Sequence, residues 1–373
     1  MEVAIAGAGI GGLTLTAALR RRRIRVRVFE RAASIEPVGA GITVQANAMN
    51  ALATLGLDAP VAAEGVELGA IAILDTRGRA LGPSVDVGAL RDELGAPTIA
   101  IHRARLHRVL LEACGGDVEL GATVVGYEPR GERVLVRTTS GDLEADLLVG
   151  ADGLHSAVRG QMIGDGEPIY AGYTSWRGIA KLESGARATE TWGRGARFGI
   201  VPIGRGETYW FAVATVAAGG TDEDVVADLT ARYGAWHAPI ADVIAATPRD
   251  KILRTDIRDR KTIETWHAGR AVLLGDAAHP MTPNYGQGGC QAIEDAIVLD
   301  RLLADHPIED ALAKYEAARV ARANAIVIGA RRLGRIAAWK SAPACALRDL
   351  LLRATPRRTV LRSMRKVLTF PRA

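Results

Sequence analysis

Two aspartates each follow a short apolar run and lie beside a glycine, an arrangement that can bind a polar ligand. Asp276 comes directly after Gly275 and the run 271–274, and Asp152 follows the run 146–150. Such runs are typical of strands buried in a parallel sheet. Ligands bind in these sheets outside the carboxyl ends of the strands, so we expect the two acids to line one cleft.

A glycine-rich turn at residues 286–290 follows the second aspartate. Beyond it, Ala292, Ala296, Leu299 and Leu303 recur at helical spacing, which predicts a helix that begins in the turn. Glycines let a ligand approach the backbone, and the first amides of a helix are unpaired donors with partial positive charge. We therefore predict that an electron-rich group binds here; a loop that only lets the helix pack on the sheet is the alternative.

The amino-terminal segment contains G-x-G-x-x-G between an apolar strand and a helical pattern, with Glu30 at the end of a second strand. In a dinucleotide site Gly7 makes the tight turn, Gly9 admits the pyrophosphate, Gly12 packs helix on strand, and the acid accepts from ribose hydroxyls. An acid here favours FAD or NAD and disfavours NADP. The motif does not choose between FAD and NAD.

Composition bounds the class of protein. The chain has 373 residues, 48% of them hydrophobic and 24% charged, which is typical of globular protein with room for two cores. The first apolar strand begins at Val3 and leaves no room for a signal peptide, and no apolar run is long enough to span a membrane, so we expect a cytoplasmic protein. Three scattered cysteines, Cys114, Cys290 and Cys345, indicate neither disulfides nor a metal site.

The net charge of +5 is located in one segment. Residues 341–373 carry +7, which leaves −2 for the remainder, and no nucleic-acid-binding module is recognisable. We therefore expect no nucleic-acid partner. The basic segment alternates arginines with apolar residues, a pattern that is also seen in helices at membrane surfaces.

The order of elements predicts an α/β fold. A Rossmann-like dinucleotide-binding domain is expected from residues 1–75, 97–168 and 270–305. Aromatic and β-branched residues from 169 onward predict an inserted, mainly antiparallel β-sheet substrate domain over 76–96 and 169–269. Residues 306–373 are predicted to form a C-terminal helical region.

At this point the chain resembles the FAD-dependent aromatic hydroxylases, the flavoprotein monooxygenases of the para-hydroxybenzoate hydroxylase type. The likeness covers nearly the whole chain and rests on GAGIGG at 7–12 with Glu30, Arg103, GADGLHSAVR at 150–159 and GDAAHPMTPNYGQGG at 275–289. It implies bound FAD, NADH or NADPH as co-substrate, and O2. It also implies oxygen transfer from a flavin C4a-hydroperoxide, which hydroxylates or epoxidises an aromatic or polycyclic small molecule.

The resemblance further implies which residues bind the cofactor. They are the phosphate loop Gly7, Gly9, Gly11 and Gly12; Glu30 and Arg31 for the adenosine half; Arg103 for the pyrophosphate; Asp152 and Gly153 for FAD and the passing nicotinamide; Gly275 and Asp276 for the ribityl chain; and Pro283, Gly286, Gln287, Gly288, Gly289 and Cys290 beside the isoalloxazine.

The stretch 282–296 is locally similar to bacterial urate hydroxylases and zeaxanthin epoxidases. The urate enzymes have an arginine, a tyrosine twelve residues later, and an acid after the TP of this stretch. Arg197 and Tyr209 show that spacing, but Asn284 replaces the acid and cannot act as a base, so urate is not the expected substrate. We predict that these three residues position the substrate; a surface charge and a core aromatic are the alternative for Arg197 and Tyr209.

Two other functions stay open. One is an oxygen-independent reductase of the geranylgeranyl-reductase type, and the other is a flavin-bearing interaction protein without enzymatic activity. For the basic segment 341–373, membrane contact is the alternative to packing on the protein, which the resemblance favours because family members end in similar packed helices. The sequence carries no signal for the oligomeric state.

Overall fold

The computed structural model of the protein describes residues 1–35 and 40–370. The strands are β1 (Glu2–Ala6), β2 (Arg25–Glu30), β3 (Gly41–Val44), β4 (Val66–Glu67), β5 (Ala70–Asp75), β6 (Val85–Asp86), β7 (Ile99–His102), β8 (Glu119–Leu120), β9 (Val124–Arg130), β10 (Arg133–Thr138), β11 (Leu143–Ala145), β12 (Leu147–Gly150), β13 (Ile169–Ala180), β14 (Arg187–Trp192), β15 (Ala196–Pro202), β16 (Thr208–Ala214), β17 (Leu253–Asp259), β18 (His267–Ala268) and β19 (Ala271–Leu273).

The helices are α1 (Ile10–Arg21), α2 (Ala46–Ala53), α3 (Asp58–Glu64), α4 (Arg91–Leu94), α5 (Arg103–Ala113), α6 (Ala157–Ile163), α7 (Val225–Tyr233), α8 (Ile240–Ala245), α9 (Gly288–Asp305), α10 (Ile308–Ala337), α11 (Ala342–Ala354) and α12 (Arg357–Leu368). Single 3₁₀ turns occur at Arg249–Lys251, Gly275–Ala277 and Pro283–Tyr285.

A six-stranded sheet carries the amino-terminal motif. Its order is β18-β19-β12-β1-β2-β8, and every pair is parallel except β18 with β19. The strands β1, β12 and β19 are almost fully buried, as expected where elements cover both faces of a parallel sheet. This confirms the predicted α/β fold class, with the buried strands before Asp152 and Asp276 as neighbours.

The second large sheet has the order β17-β13-β16-β15-β14-β5-β6. Most of its pairs are antiparallel, including the hairpin β15–β16, and only β14 with β5 is parallel. Strand β5 lies before residue 76 yet belongs to this sheet, since strand pairing is set across the fold rather than along the chain. The predicted domain boundaries therefore stay a prediction.

The C-terminal segment forms α11 and α12. Val360, Leu361 and Met364 of α12 pack on a buried apolar cluster, whereas Leu347, Leu350 and Leu351 of α11 are 53%, 61% and 58% exposed. Arg372 of the predicted basic segment lies outside the described residues. Within the described ranges, none of the helices is long and apolar enough to cross a membrane.

A buried charge cluster joins α9 to α10. The guanidinium of Arg319 donates to Asp295 Oδ1 at 2.7 Å and also to Glu294, and all three side chains are almost completely buried. Asp295 Oδ2 accepts from the amide of Gly275 at 3.0 Å and lies 2.6 Å from His279 Nε2. Burial acts to raise the pKa of Asp295, but His279 and Arg319 lower it to about 2.

We predict that Arg319→Leu lowers the free energy of unfolding by about 3–5 kcal/mol, because it removes the buried cation that Asp295 and Glu294 share and leaves them only His279 and Arg322, respectively, as charged or ring partners. Urea denaturation measures the change. Arg91→Leu is the control: it removes an exposed ion pair with Glu67 and should change stability by less than about 1 kcal/mol. Equal effects of the two substitutions would contradict the prediction.

Candidate active site

The glycine loop between β1 and α1 combines tight packing with one open position. Gly7 has φ +100°, and a Cβ there would lie 2.5 Å from the carbonyl oxygen of Ala151. A Cβ on Gly12 would collide with the carbonyl of Gly7, whereas a Cβ on Gly9 would meet nothing within 4 Å. The loop therefore packs tightly at positions 7 and 12 and faces open space at position 9.

Glu30 ends β2 and holds this loop in place. Its Oε2 accepts from the amide of Ala8 and its Oε1 from the amide of Ala32, both at 2.9 Å. A carboxylate has about four lone-pair sites, so both oxygens retain acceptor capacity. The neighbouring Arg31 is exposed and lines the same cavity.

A first cavity of 370 Å³ opens at the carboxyl ends of β1, β12 and β19. The expected cleft is formed, since Asp152 and Asp276 both line it. The predicted cofactor residues on its wall are Gly7, Gly9, Gly11, Glu30, Arg31, Arg103, Asp152, Gly153, Gly275, Asp276, Gly288 and Gly289.

Three charged side chains in this cavity lack full hydrogen bonding within the described part of the chain. Asp152 Oδ2 accepts from the amide of Ala157 at 2.8 Å, but its buried Oδ1 has no partner, and burial raises the pKa of this carboxyl. Asp276 is reached from the cavity yet enclosed by protein, which raises its pKa, while His279 and Arg103 act to lower it. Burial lowers the pKa of Arg103, opposed by Asp276.

These features fit the FAD that the resemblance implies. The open space at Gly9 precedes the first amides of α1, where a pyrophosphate can be bound by backbone donors. Arg103 and Asp152 line the same cavity. The Arg103 guanidinium makes no hydrogen bond to a described residue, and Asp152 Oδ1 is an acceptor without a partner. The donor set is therefore that of a dinucleotide site.

Some residues of the glycine-rich turn line a cavity, and others are buried in the protein interior. Helix α9 begins at Gly288, inside the turn as predicted, and Gly286, Gly288 and Gly289 line a cavity. Gln287 is buried and donates to Gln45 Oε1 at 2.7 Å. Cys290 is buried as well, and burial raises the pKa of its thiol to about 12. Neither Gln287 nor Cys290 lines either of the two cavities, so their assignment beside the flavin ring stays a prediction.

A second cavity of 330 Å³ lies between the turn and the large sheet. It shares Ile42, Arg103, Asp276, Gly288 and Gly289 with the first cavity, so the two adjoin. The predicted substrate residues all line it, together with Pro283: they are Arg197, Tyr209 and Asn284.

Two of those three residues are engaged with each other. Arg197 Nη1 donates to Asn284 Oδ1 and to Glu190 Oε1, both at 3.0 Å, and its guanidinium lies 5.3 Å from the ring centre of Tyr173. The amide nitrogen of Asn284 lies within hydrogen-bond distance of Tyr173 Oη, Thr282 Oγ1 and the carbonyl of Ala330. Arg197 and Asn284 therefore tie the sheet and the turn to α10.

Tyr209 differs from the other two. Its hydroxyl makes no hydrogen bond to a described residue, and burial raises its pKa, so it stays a potential donor at neutral pH. Sequence reasoning missed Glu190 and Arg177, which also line this cavity. Alternation along β13, which puts Ser175 and Arg177 on one face, could have indicated the latter.

Comparison with known proteins agrees with the geometry. The model of the FAD binding domain family matches residues 1–330. Aurachin C monooxygenase/isomerase of Stigmatella aurantiaca is 52% identical over 95% of this chain and 94% of its own length. 3-Amino-4-hydroxybenzoate 2-monooxygenase of Streptomyces cremeus is 37% identical over 95% and 92%, and FAD-dependent urate hydroxylase of Klebsiella pneumoniae is 34% identical over 89% of each.

Among solved structures, Klebsiella pneumoniae HpxO complexed with FAD and uric acid superposes with a TM-score of 0.93 at 31% identity, covering 100% of this chain and 98% of that one. The family match spans most of the chain, and the relatives cover it almost completely. The protein therefore belongs to the FAD-dependent monooxygenases that carry the FAD binding domain.

Proposed function

We propose that this FAD-dependent monooxygenase hydroxylates or epoxidises an aromatic or polycyclic small molecule, with NADH or NADPH as reductant and O2 as oxidant. The observation that carries the proposal is the shared wall of the two cavities. A small molecule in the second cavity would be adjacent to a cofactor in the first. Bound FAD supplies the redox chemistry, accepting hydride and activating oxygen.

In the first cavity, the chain's own groups hold the cofactor. We assign Glu30 and Arg31 to the adenosine half, Arg103 to the pyrophosphate, Asp152 to both FAD and the nicotinamide, and Asp276 to the ribityl chain. The backbone of residues 286–290 and the amino terminus of α9 supply partial positive charge beside the ring. This charge would stabilise negative charge on a bound flavin ring.

In the second cavity, apolar side chains select and shield the substrate. Val201, Phe211, Val213 and Met281 form much of its wall, which suits a flat ring and excludes water. The Tyr209 hydroxyl can donate to a substrate oxygen. Asn284 has no titratable group, so it holds the turn and takes no proton, and urate is not the proposed substrate.

The names of the relatives support this substrate class. One relative is named for 3-amino-4-hydroxybenzoate, another for urate, and the zeaxanthin epoxidase of Solanum lycopersicum is 35% identical over 91% of this chain. These substrates belong to those proteins. What they share is an electron-rich conjugated system, which is the class we propose here.

We predict that Gly9→Ala keeps the fold but loses cofactor. The new methyl enters open space, so the free energy of unfolding should fall by less than about 1 kcal/mol. FAD affinity should fall about tenfold or more, because the methyl blocks the close approach of the cofactor to the backbone.

Gly12→Ala is the matched variant: overpacking against Gly7 should cost about 1–3 kcal/mol. Urea denaturation and fluorescence titration with FAD measure both. Unchanged FAD affinity in Gly9→Ala would contradict the assignment.

We expect at least one aromatic compound to stimulate nicotinamide oxidation with matching consumption of O2 and formation of an oxygenated product. Phenols, quinolones, purines and polycyclic quinols form the panel, tested with NADH and NADPH. Hydrogen peroxide is quantified in each assay, because uncoupled oxidation imitates turnover. Product formed without O2 would indicate a reductase, and a yellow protein that oxidises no nicotinamide would indicate an interaction protein.

We predict that Tyr209→Phe lowers kcat/KM for the best substrate about 2- to 10-fold, the effect of one hydrogen bond. Tyr170→Phe is the control, because that hydroxyl bonds to the carbonyl of Val216 and does not line the cavity. Steady-state kinetics compares the two variants. Wild-type kinetics in Tyr209→Phe would remove this hydroxyl from the site.

A further inference from the structure

One row of residues crosses the sheet beneath the second cavity. Arg177 on β13 is paired with Phe211 on β16, Phe211 with Gly199 on β15, and Gly199 with Glu190 on β14. Side chains in such a row point to the same face, and Arg177, Phe211 and Glu190 all line the cavity. Three strand spacings separate the two charged residues by about 14 Å.

The middle of this row is flat and apolar. A Cβ on Gly199 would collide with the ring of Phe211, so the missing side chain gives the ring its place. The adjoining positions Val201 and Val213 also line the cavity. The floor between the two charged ends therefore suits a planar ring.

At the Glu190 end of the cavity, the charges of Glu190 and Arg197 cancel each other. Glu190 Oε1 accepts from Arg197, and the same guanidinium nitrogen donates to Asn284. This pairing leaves no net charge for a ligand at that end. The arginine that the spacing pattern predicted as a substrate contact is instead committed to the protein.

At the other end Arg177 stands without a counterion. Its half-buried side chain makes no hydrogen bond or ion pair with any residue in 1–35 or 40–370. Two acids line the cavity: Glu190 lies about 14 Å away across the sheet and is paired, and Asp276 interacts with Arg103. Arg103 and Asp276 balance each other, so the unpaired positive charge at this end of the cavity is that of Arg177.

We propose that Arg177 anchors an anionic oxygen of the substrate, so that the enzyme takes planar aromatic compounds bearing a carboxylate, phenolate or enolate. This rests on the proposed function of the second cavity. A guanidinium binds such oxygens with charge-assisted, often bidentate hydrogen bonds, which are strongest where water is excluded. The anchored ring lies over Phe211, and Arg197 holds the far wall.

Paired probes that differ only in charge test the anchor. FAD-loaded protein at pH 7 is titrated with 3-amino-4-hydroxybenzoate and its carboxamide, and with salicylate and salicylamide, following the flavin absorption spectrum. Wild type should bind the acid of a pair more tightly than the amide. Arg177→Gln should weaken binding of the acid about 10- to 150-fold and leave the amide within about 3-fold, because only the charged hydrogen bond is lost.

Two further variants complete the design. Arg177→Lys keeps the charge without the fork and should fall between wild type and Arg177→Gln. Arg187→Gln removes an exposed arginine of β14 that lines neither cavity, and it should bind like wild type.

Three results would overturn the proposal: a wild type that prefers no acid over its amide, an Arg177→Gln variant that weakens acid and amide equally, or an Arg177→Gln variant that loses FAD, which would assign the arginine to the cofactor. Binding is measured without turnover. A charge preference that depends on Arg177 in a protein that consumes no O2 would therefore reject the proposed function and keep the anchor.

Discussion

The ion cluster of Arg319 with Asp295 and Glu294 is the interaction on which the candidate site most depends. Buried charges are tolerated only when paired and hydrogen-bonded, so this cluster constrains every element that contributes to it. Through Asp295 it holds the amide of Gly275 and the ring of His279, and so places the turn that carries Asp276. Through Glu294 it reaches Asn47 of α2. The carboxyl end of β19 is thereby held rigidly against α9 and α10.

Helix α10, which contains Arg319, links the six-stranded sheet to the seven-stranded sheet. Its amino-terminal half contains Arg319, and further along its Ala330 carbonyl accepts from Asn284 at 2.8 Å, while a side chain on Gly334 would collide with Asn284 and Tyr173. The helix therefore packs closely behind Asn284, a residue of the turn that lines the second cavity. The helix bonds to the six-stranded sheet through Tyr315 and Leu273, and to the seven-stranded sheet through Arg331 and Asp259.

The second cavity has two unlike ends because its charges are paired unevenly. Arg197 and Glu190 neutralise each other, and Asn284 accepts from the same guanidinium. The Asn284 side chain has no group that can accept a proton as a base. At the opposite end Arg103 and Asp276 balance each other, and Arg177 is unpaired among the described residues. The proposed specificity therefore depends on where charge is placed along an apolar floor.

The sequence by itself determined the dinucleotide loop, the two aspartates and the start of α9, because each depends on residues close together in the chain. Gly7 and Gly12 have backbone or packing roles in the turn from strand to helix, and Gly9 leaves open space for a ligand. Only the tertiary structure decided which arginine is free. Arg197 and Arg177 are both strand residues beside a cavity, and their difference depends on register across three strands and on a turn 87 residues away. The burial of the Gln287 and Cys290 side chains was also decided by the tertiary structure. Their hydrogen-bond partners, directly before α2 and on β3, are distant in sequence.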